Sequence, residues 1–290
     1  MQLVTGRLKI EPTNDLRIAL CISSRFAMLG FERNDTMYDT RFVPAMQTIG
    51  DRSRHLYLLL DGTCEWSDGS RFVGPAAFVV SAPIFDGEAG QRTLSYRAGG
   101  ERFRSVELRV HGGELGTGGE AGPEPIALSP AAFAFAAAYL ERDEPLEAAR
   151  SLLERLAADG VLSASIVDGE LGDVLSHGVC TVLFPVLRRL AFGTNYAELT
   201  YAGSVSRREL RFGLGRLAKT LDLRFKGWRE FARCYRLRLA ILLLSNPRLE
   251  IRDIAKLAGY SSTEAFTHAL YDENLPAPGA IRAQILAYQA

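Results

Sequence analysis

Basic side chains recur on one side of a leucine-rich segment that follows Ser206. Arg208, Arg211 and Lys219 are spaced like residues on one face of a helix. The opposite face carries Leu210, Leu214, Leu217 and Leu221. Arginine can donate two hydrogen bonds to the O6 and N7 atoms of guanine, and any cation attracts phosphate. The segment therefore predicts a helix that is held by its leucines and presents cations to DNA.

The position of each cation along this helix indicates its role. Residues near the start of a DNA-reading helix reach base edges most easily, so we expect Arg207, Arg208 and Arg211 to contact bases. Arg216 and Lys219 lie further along and are expected to contact phosphates. The alternative is a solvated basic face that binds nothing.

A helix-turn-helix pattern is clearest in residues 251–270. A short helix with one apolar face is expected to end at Gly259, which can adopt the conformation that closes a helix. Ser261 is then expected to open a second helix, with Glu264 three residues later as its partner in a capping box.

The same pattern occurs earlier, in residues 196–210. Here Ser206 is the expected cap and Glu209 follows three residues later. In such a unit the second helix enters the major groove of DNA. Two units in tandem indicate a sequence-specific DNA-binding protein.

The last third of the chain resembles the AraC/XylS family of bacterial transcription regulators. The motifs that carry the resemblance are residues 236–240 and 242–245, Ile254, Ala255, Gly259, Tyr260, Ala265, Phe266, Pro278 and Arg282. The resemblance implies two subdomains joined by one long helix, with a separate sensing and dimerisation domain upstream. It also implies double-stranded promoter DNA as a partner, with RNA polymerase and a second copy of the chain (a homodimer) as further partners.

The second DNA-reading helix departs from the family pattern, because residues 261–274 contain no Arg or Lys. Hydroxyl groups and a neutral histidine can still bond to bases or phosphates. The outward positions that we expect to contact DNA are Ser262, Thr263, Thr267 and His268, with Tyr271 beside them. Asn274 or Leu275 stands where family members usually carry glycine. A purely structural second unit is the alternative.

Residues 228–244 are expected to form the helix between the two units. Its apolar side would consist of Trp228, Phe231, Tyr235, Leu239 and Leu242, and its other side of Arg229, Arg233, Arg236 and Arg238. Such a helix is about 25 Å long. That length would let the two reading helices reach successive major grooves, which are about 34 Å apart.

The N-terminal part of the chain is rich in β-prone runs. Asp-Gly pairs at 61–62 and 68–69 predict hairpin turns, because glycine adopts positive φ at little cost. Further strands are expected at residues 93–97 and 102–110. Many short strands with regular turns favour a cupin-like β-barrel, or jelly roll.

We therefore predict an α+β fold in four parts. Residues 1–115 form a cupin-like sensing domain, and 116–126 form a linker, because glycine and proline dominate there. Residues 127–195 form a helical connector that either packs on the barrel or makes a dimer contact, with helices at 131–141, 145–156 and 169–191. Ser129 is the expected cap of the first of these helices, with Pro130 at its first helical position. Residues 196–290 form the all-α tandem helix-turn-helix domain.

Control by a small-molecule effector is expected in the N-terminal barrel. Its inward side chains Tyr57, Trp66 and Phe78 are the candidate pocket lining, and a plain apolar core is the alternative. The four histidines (His55, His111, His177 and His268) are not at metal-ligand spacing, so we expect no metal site and no cofactor.

The formal charge of the chain is zero, but it is unevenly distributed. Residues 196–290 contain 15 Lys and Arg against 9 Asp and Glu, a net charge of +6. Residues 1–195 contain 19 against 25, a net charge of −6. A basic end and an acidic front are typical of a regulator with one DNA-binding domain.

The cysteines and apolar runs indicate a cytoplasmic protein. Cys21, Cys64, Cys180 and Cys234 form no CxxC pair, which favours reduced core residues over a disulfide framework. The first residues lack a signal-peptide profile, and no apolar run is long enough to span a membrane.

No catalytic motif is present, so we do not expect an enzyme. The sequence contains no Gly-x-Ser-x-Gly elbow and no phosphate-binding P-loop. The leading interpretation is a sequence-specific transcription regulator of AraC/XylS type. One alternative is a non-enzymatic interaction protein of the same fold that has lost specific DNA binding, and a weaker one is a cupin-type enzyme with a helical tail.

Overall fold

The N-terminal part of the chain forms one antiparallel sheet. The computed structural model describes residues 4–9, 16–22, 26–43, 53–80, 95–111, 115, 122–142, 145–168, 206–209, 211–212, 215 and 228–287. Its strands are β1 (Val4–Lys9), β2 (Leu16–Ile22), β3 (Phe26–Asp39), β4 (Ser53–Trp66), β5 (Arg71–Val73), β6 (Ala76–Val80), β7 (Tyr96–His111) and β8 (Pro123–Ile126). They lie in the order β1-β2-β3-β7-β4-β6-β8, and β5 pairs with β4.

The predicted cupin-like barrel is not closed. Strands β1 and β8 lie at the two ends of the strand order, and no pairing joins them within the described residues. The alternation of apolar and polar residues determines which side chains share a face of a sheet. It does not determine whether the two edges meet, because closure depends on tilt and stagger across all the strands.

The sequence predicted a hairpin turn at the Asp-Gly pair 61–62, and this prediction is wrong. The pair lies inside β4, where the pairing with β7 shifts register. Gly62 has a φ of +91°, and a Cβ atom there would lie 2.9 Å from the carbonyl oxygen of Gly99. The glycine therefore permits a bulge and a close approach of two strands. The Asp-Gly pair at 68–69 does form the predicted turn, between β4 and β5.

Strand β7 is continuous across the second predicted break. The described part of the strand expected at 93–97 belongs to the same strand as residues 102–110. Gly99 lies within β7 at a point where β3 passes close by. A Cβ atom on residue 99 would lie 2.7 Å from the carbonyl oxygen of Thr36. The glycine allows close contact between strands rather than a turn.

Three helices follow the sheet, namely α1 (Pro130–Glu141), α2 (Pro145–Ala158) and α3 (Ala164–Asp168). Ser129 caps α1 and Pro130 is its first residue, as predicted. Helices α1 and α2 share one buried apolar cluster with the sheet, so the described part of the connector packs on the sheet. The Tyr139 hydroxyl donates a hydrogen bond to the carbonyl oxygen of Met28 (3.0 Å) and fixes α1 to β3.

Part of the predicted linker belongs to this core. Residues 123–126 form β8, which pairs with β6, and Leu115 makes an isolated bridge to Leu162. The helix predicted at residues 169–191 lies outside the described residues. The glycine and proline content of 116–126 does not distinguish a linker from a short edge strand.

Four helices form the described C-terminal unit. They are α4 (Trp228–Leu244), α5 (Ile251–Leu257), α6 (Thr263–Tyr271) and α7 (Pro278–Leu286), and α4 has the predicted bounds. Their buried residues form a second core cluster. Helix α4 is buried on more than one side near its end, where Leu237, Leu239, Ala240, Ile241, Leu243 and Leu244 are all buried.

The sheet packs directly on α4. After β3, the buried carboxylate of Asp39 accepts a hydrogen bond from the backbone N–H of Arg41 (3.0 Å) and shapes a short 3-10 turn, Thr40–Phe42. This turn places Phe42 and Val43 in the same buried cluster as α4. The N–H group of Met37 donates to Oγ of Ser245 (3.0 Å) at the end of α4. The N-terminal sheet and the C-terminal helices therefore share a core.

The described cysteines agree with the expectation of reduced core residues. Cys21, Cys64 and Cys234 are free and buried, and burial raises the pKa of Cys21 and Cys64 to about 12. Cys180 lies outside the described residues. No helix in the described ranges has the length and apolar character that crossing a membrane requires.

Replacing Ser245 with alanine is expected to weaken the contact between the sheet and α4. The variant leaves the N–H group of Met37 without its acceptor in a partly buried place, which costs about 1–3 kcal/mol. Urea denaturation of the full chain measures the change in the free energy of unfolding. Ser261→Ala, which alters an exposed hydroxyl outside the helices, is the control and should change that free energy by less than about 0.5 kcal/mol. Equal free energies of unfolding for the two variants would contradict a stabilising contact between Met37 and Ser245.

Candidate nucleic-acid interface

The first predicted DNA-reading helix begins with the expected capping box. The backbone N–H of Ser206 donates to a carboxylate oxygen of Glu209 (2.8 Å), and the N–H of Glu209 donates to Oγ of Ser206 (3.1 Å). The hydrogen bonds from Ser206 hold the pKa of Glu209 below its ordinary value. The two residues satisfy backbone donors at a helix start, so this carboxylate is engaged at the cap.

Three arginines predicted to read bases lie on the exposed surface of this helix. Arg207, Arg208 and Arg211 have helical backbone and exposed side chains. In the described residues, Arg208 and Arg211 form no ion pair, and the guanidinium carbon of Arg208 lies 5.7 Å from the ring centre of Phe212. These two arginines are free to meet an anion.

The leucine stripe of this helix and its later cations are not described. Leu210, Leu214, Leu217 and Leu221 lie outside the described side chains, as do Arg216 and Lys219. Phosphate contact by Arg216 and Lys219 stays a prediction.

The second unit is a complete helix-turn-helix formed by α5 and α6. Gly259, with a φ of +83°, closes α5 as predicted. Its N–H donates to the carbonyl oxygen of Lys256 (2.9 Å), and the N–H of Tyr260 donates to that of Ala255 (2.8 Å). This pair of bonds satisfies the last carbonyl groups of the helix and turns the chain sharply. The ring of Tyr260 then packs on Phe266 of α6, with ring centres 5.2 Å apart.

The cap of α6 is Ser262 and not Ser261. Oγ of Ser262 accepts a hydrogen bond from the N–H of Ala265 (3.1 Å), and the helix begins at Thr263. Two adjacent serines fit the cap equally well in the sequence, and the turn after Gly259 decides between them. Glu264 therefore lies one position earlier in the helix than a capping box requires.

The predicted contact residues of α6 divide into two groups. His268 and Tyr271 are exposed, whereas Ser262, Thr263 and Thr267 are half-buried. The hydroxyl of Ser262 caps the helix, and the Thr267 hydroxyl donates to the carbonyl oxygen of Thr263 (2.9 Å). These two hydroxyl groups already make hydrogen bonds within the unit. DNA contact by Ser262, Thr263, Thr267, His268 and Tyr271 stays a prediction.

The exposed face of α6 is acidic. Its exposed residues, with those at its two ends, are Ser261, Glu264, His268, Tyr271 and Asp272. Glu273 is half-buried and pairs with Arg233 of α4 (2.8 Å), so it does not add to this face. Asn274 has a φ of +56° and occupies the turn position where a glycine is usual. The first reading helix thus presents cations, whereas the reading helix α6 of the second unit presents carboxylates.

Arg282, one of the residues that carries the family resemblance, holds the end of α4. Its Nε donates to the carbonyl oxygen of Leu244 (3.2 Å) and its Nη2 to that of Leu249 (2.7 Å). These carbonyl groups end α4 and the loop that precedes α5. Arg282 therefore contributes to the folding of the unit, since its donors are used inside it.

The candidate effector residues lie together on one face of the sheet. The ring of Tyr57 lies 5.0 Å from Phe78 and 6.3 Å from Trp66, centre to centre. All three rings are buried in one apolar cluster. Arg33 lies over the Phe103 ring of the same cluster at 4.2 Å. Its Nη1 has no hydrogen-bond partner among the described residues, and burial lowers its pKa to about 10.

A charged group borders this aromatic cluster. Nδ1 of His55 lies 2.8 Å from a carboxylate oxygen of Glu107, and Nη2 of Arg109 lies 3.4 Å from the same oxygen. Burial raises the pKa of Glu107, but the hydrogen bonds and charges of His55 and Arg109 outweigh it and hold the pKa at about 2. The sequence analysis missed this group because its members lie on two strands, 52 residues apart.

Comparisons with known proteins give only distant similarity. No protein-family model matches the chain, and no curated protein has a matching sequence.

Solved structures that resemble the chain include regulators. ToxT from Vibrio cholerae is 10% identical, with a TM-score of 0.35 over 89% of this chain and 98% of that chain. Wild-type ToxT with a bound unsaturated fatty acid is 12% identical, with a TM-score of 0.34 over 89% of this chain and 95% of that chain. A transcriptional regulator of the HTH_3 family from Vibrio cholerae is 9% identical, with a TM-score of 0.25 over 35% of this chain and 53% of that chain. These values do not establish a common fold or function.

Gly259→Ala is expected to destabilise the second helix-turn-helix. An alanine at a φ of +83° costs about 1–2 kcal/mol. Gly279→Ala is the matched control, because Gly279 lies in α7 and a Cβ atom there would be in ordinary contact, 3.9 Å from Cδ1 of Ile251. That variant should gain about 0.5–1 kcal/mol from its higher helix propensity. Thermal or urea unfolding measures both, and a stabilising Gly259→Ala would contradict the role of this turn.

Glu107 is expected to make stability depend on pH in the acid range. Its pKa of about 2 in the folded chain lies below the unfolded value of about 4.3. The carboxylate therefore stabilises the fold above about pH 4.3, and this contribution of about 3 kcal/mol is lost as the pH falls towards 2. Urea unfolding between pH 2 and 7 measures the free energy of unfolding at each pH. This free energy should change less steeply with pH for Glu107→Gln than for the unaltered chain.

An exposed carboxylate provides the control for this experiment. Glu101→Gln lies on the same strand β7, at an exposed position. It should leave the acid slope nearly unchanged. If Glu107→Gln and Glu101→Gln gave the same slope, the stabilisation of the Glu107 carboxylate would be disproved.

Proposed function

We propose that the chain is a sequence-specific, DNA-binding transcription regulator of AraC/XylS type. The observation that supports this most directly is the pair Arg208 and Arg211, which lie exposed and without ion pairs among the described residues on a helix with a capping box. A cation at the start of such a helix can reach base edges in the major groove. The net charge of +6 in residues 196–290 supports the same partner.

The proposal assigns unequal tasks to the two units. The first unit would supply base contacts through Arg207, Arg208 and Arg211. The second would contribute fewer contacts, since the exposed face of its reading helix α6 has no Arg or Lys and includes Glu264 and Asp272. Phosphates repel carboxylates, so a position of α6 close to DNA would cost electrostatic free energy.

Effector control is a second part of the proposal. The rings of Tyr57, Trp66 and Phe78 are buried together in one apolar cluster, and Arg33 brings a positive charge against the same cluster. A ligand with an apolar body and an anionic group would satisfy both. We include promoter DNA, RNA polymerase and a second copy of the chain as partners, and a cytoplasmic location. The proposed function has no catalytic step.

The acidic face of α6 favours one alternative function. A chain that had lost specific DNA binding could use the same helices to contact another protein. In that case the chain would bind specific and random DNA equally well, whether or not Arg208 and Arg211 are present. This outcome separates the two functions.

The double variant Arg208→Ala/Arg211→Ala is expected to abolish specific binding. Each lost base contact costs about 1–3 kcal/mol, so specific affinity should fall at least about 30-fold. A gel shift with DNA from upstream of the protein's own gene, at several salt concentrations, measures specific and non-specific binding.

A variant with the same charge change provides the control. Arg71→Ala/Arg102→Ala also removes two exposed arginines, both on the N-terminal sheet. It should bind the specific duplex as the unaltered chain does. Equal losses in the two double variants would show that net charge, and not readout by Arg208 and Arg211, controls binding.

A further inference from the structure

Phe212 is the most exposed large apolar side chain in the described part of the chain, with 63% of its surface accessible. Full burial of a phenylalanine side chain is favourable by about 1.5–3 kcal/mol. A single exposed apolar residue is ordinary on a protein surface. Its significance here comes from its neighbours.

Phe212 lies on the face of the helix that carries the arginines. Arg208, Arg211, Phe212 and Gly215 are all exposed and follow the spacing of one helix face. The guanidinium of Arg208 lies 5.7 Å from the ring centre, a distance at which cation and ring attract each other. Ring and cation therefore support each other on the surface.

Gly215 lies at the other end of this face. Among the described residues, no atom would lie within 4 Å of a Cβ atom at Gly215. A flat partner can therefore approach the backbone of this helix one turn beyond Phe212. The face combines two cations, one ring and a residue without a side chain.

Among partners that the two arginines would attract, the DNA major groove also offers a group for the ring. Guanine presents O6 and N7 to arginine, and thymine presents its C5 methyl group, the apolar group on a base edge. We infer that Phe212 contacts the C5 methyl group of a thymine in the major groove, between bases or phosphates held by Arg208 and Arg211. This inference rests on the proposed DNA-binding function and assigns one determinant of its specificity.

The inference predicts the composition of the bound site. Arg208 and Phe212 are one turn apart, so their bases lie within a few steps of each other on the duplex. A guanine close to a thymine is therefore expected in each high-affinity site. Thymine is read through its methyl group alone at that position, so uracil, which pairs identically, should be discriminated against.

The experiment uses the full chain and duplexes selected from a random library by the unaltered protein. Each thymine of the best duplex is replaced in turn by deoxyuridine, which removes only the methyl group. Dissociation constants are measured by fluorescence anisotropy for the unaltered chain, Phe212→Ala and Phe212→Leu. Phe135→Ala, an exposed phenylalanine of α1, is the control.

The unaltered chain should lose about fourfold in affinity at one or two deoxyuridine positions, the value for one buried methyl group. Phe212→Ala should bind the thymine duplex more weakly and show no further loss at those positions. Phe212→Leu should keep part of the difference, and Phe135→Ala should behave as the unaltered chain. Circular dichroism checks that Phe212→Ala remains helical.

Two results would overturn the inference alone. Specific binding by Phe212→Ala with the same deoxyuridine losses as the unaltered chain would show that another side chain contacts the methyl group. A change of oligomeric state in Phe212→Ala, with DNA binding unaltered, would assign the ring to a contact between copies of the chain. If the unaltered protein selected no sequence at all, the proposed function itself would fall.

Discussion

Helix α4 is buried over most of its second half, and the other parts of the C-terminal unit are positioned against it. Arg282 binds the carbonyl group that ends α4, and Arg233 of α4 pairs with Glu273 after α6. Leu237 and Leu244 belong to the cluster that includes the cores of α5, α6 and α7. The N-terminal sheet adds Phe42 and Val43 to the same cluster. A change in the position of α4 would therefore affect the sheet and the helices together.

Local signals in the sequence predicted local structure well. The bounds of α4, the cap of α1, the closing glycine of α5 and the capping box at Ser206 all depend on residues a few positions apart. Each of these features satisfies backbone groups at a helix end, which a handful of neighbouring residues can decide. The error of Ser261 for Ser262 at the start of α6 concerns two identical side chains that are adjacent in the sequence.

Contacts between distant residues were not predictable in the same way. The sequence treated Gly62 and Gly99 as breaks between strands, whereas each lets another strand pass close. The shared core of the sheet and α4 depends on Met37 and Ser245, which are 208 residues apart. Periodicity within an element shows which face is apolar, but it does not show which partner covers that face. The cation face of the candidate site was predictable, and its exposed ring at Phe212 was not noticed, since an isolated apolar residue on a basic face breaks no pattern.

The direct packing of the sheet on α4 has a consequence for how this chain can be divided. A cut between the sheet and the helices would strip Phe42 and Val43 from one piece and leave their apolar contact area open on the other. The isolated helical piece would then expose apolar residues that Phe42 and Val43 cover in the full chain. Exchange of either half between proteins would therefore require new residues to cover this contact area.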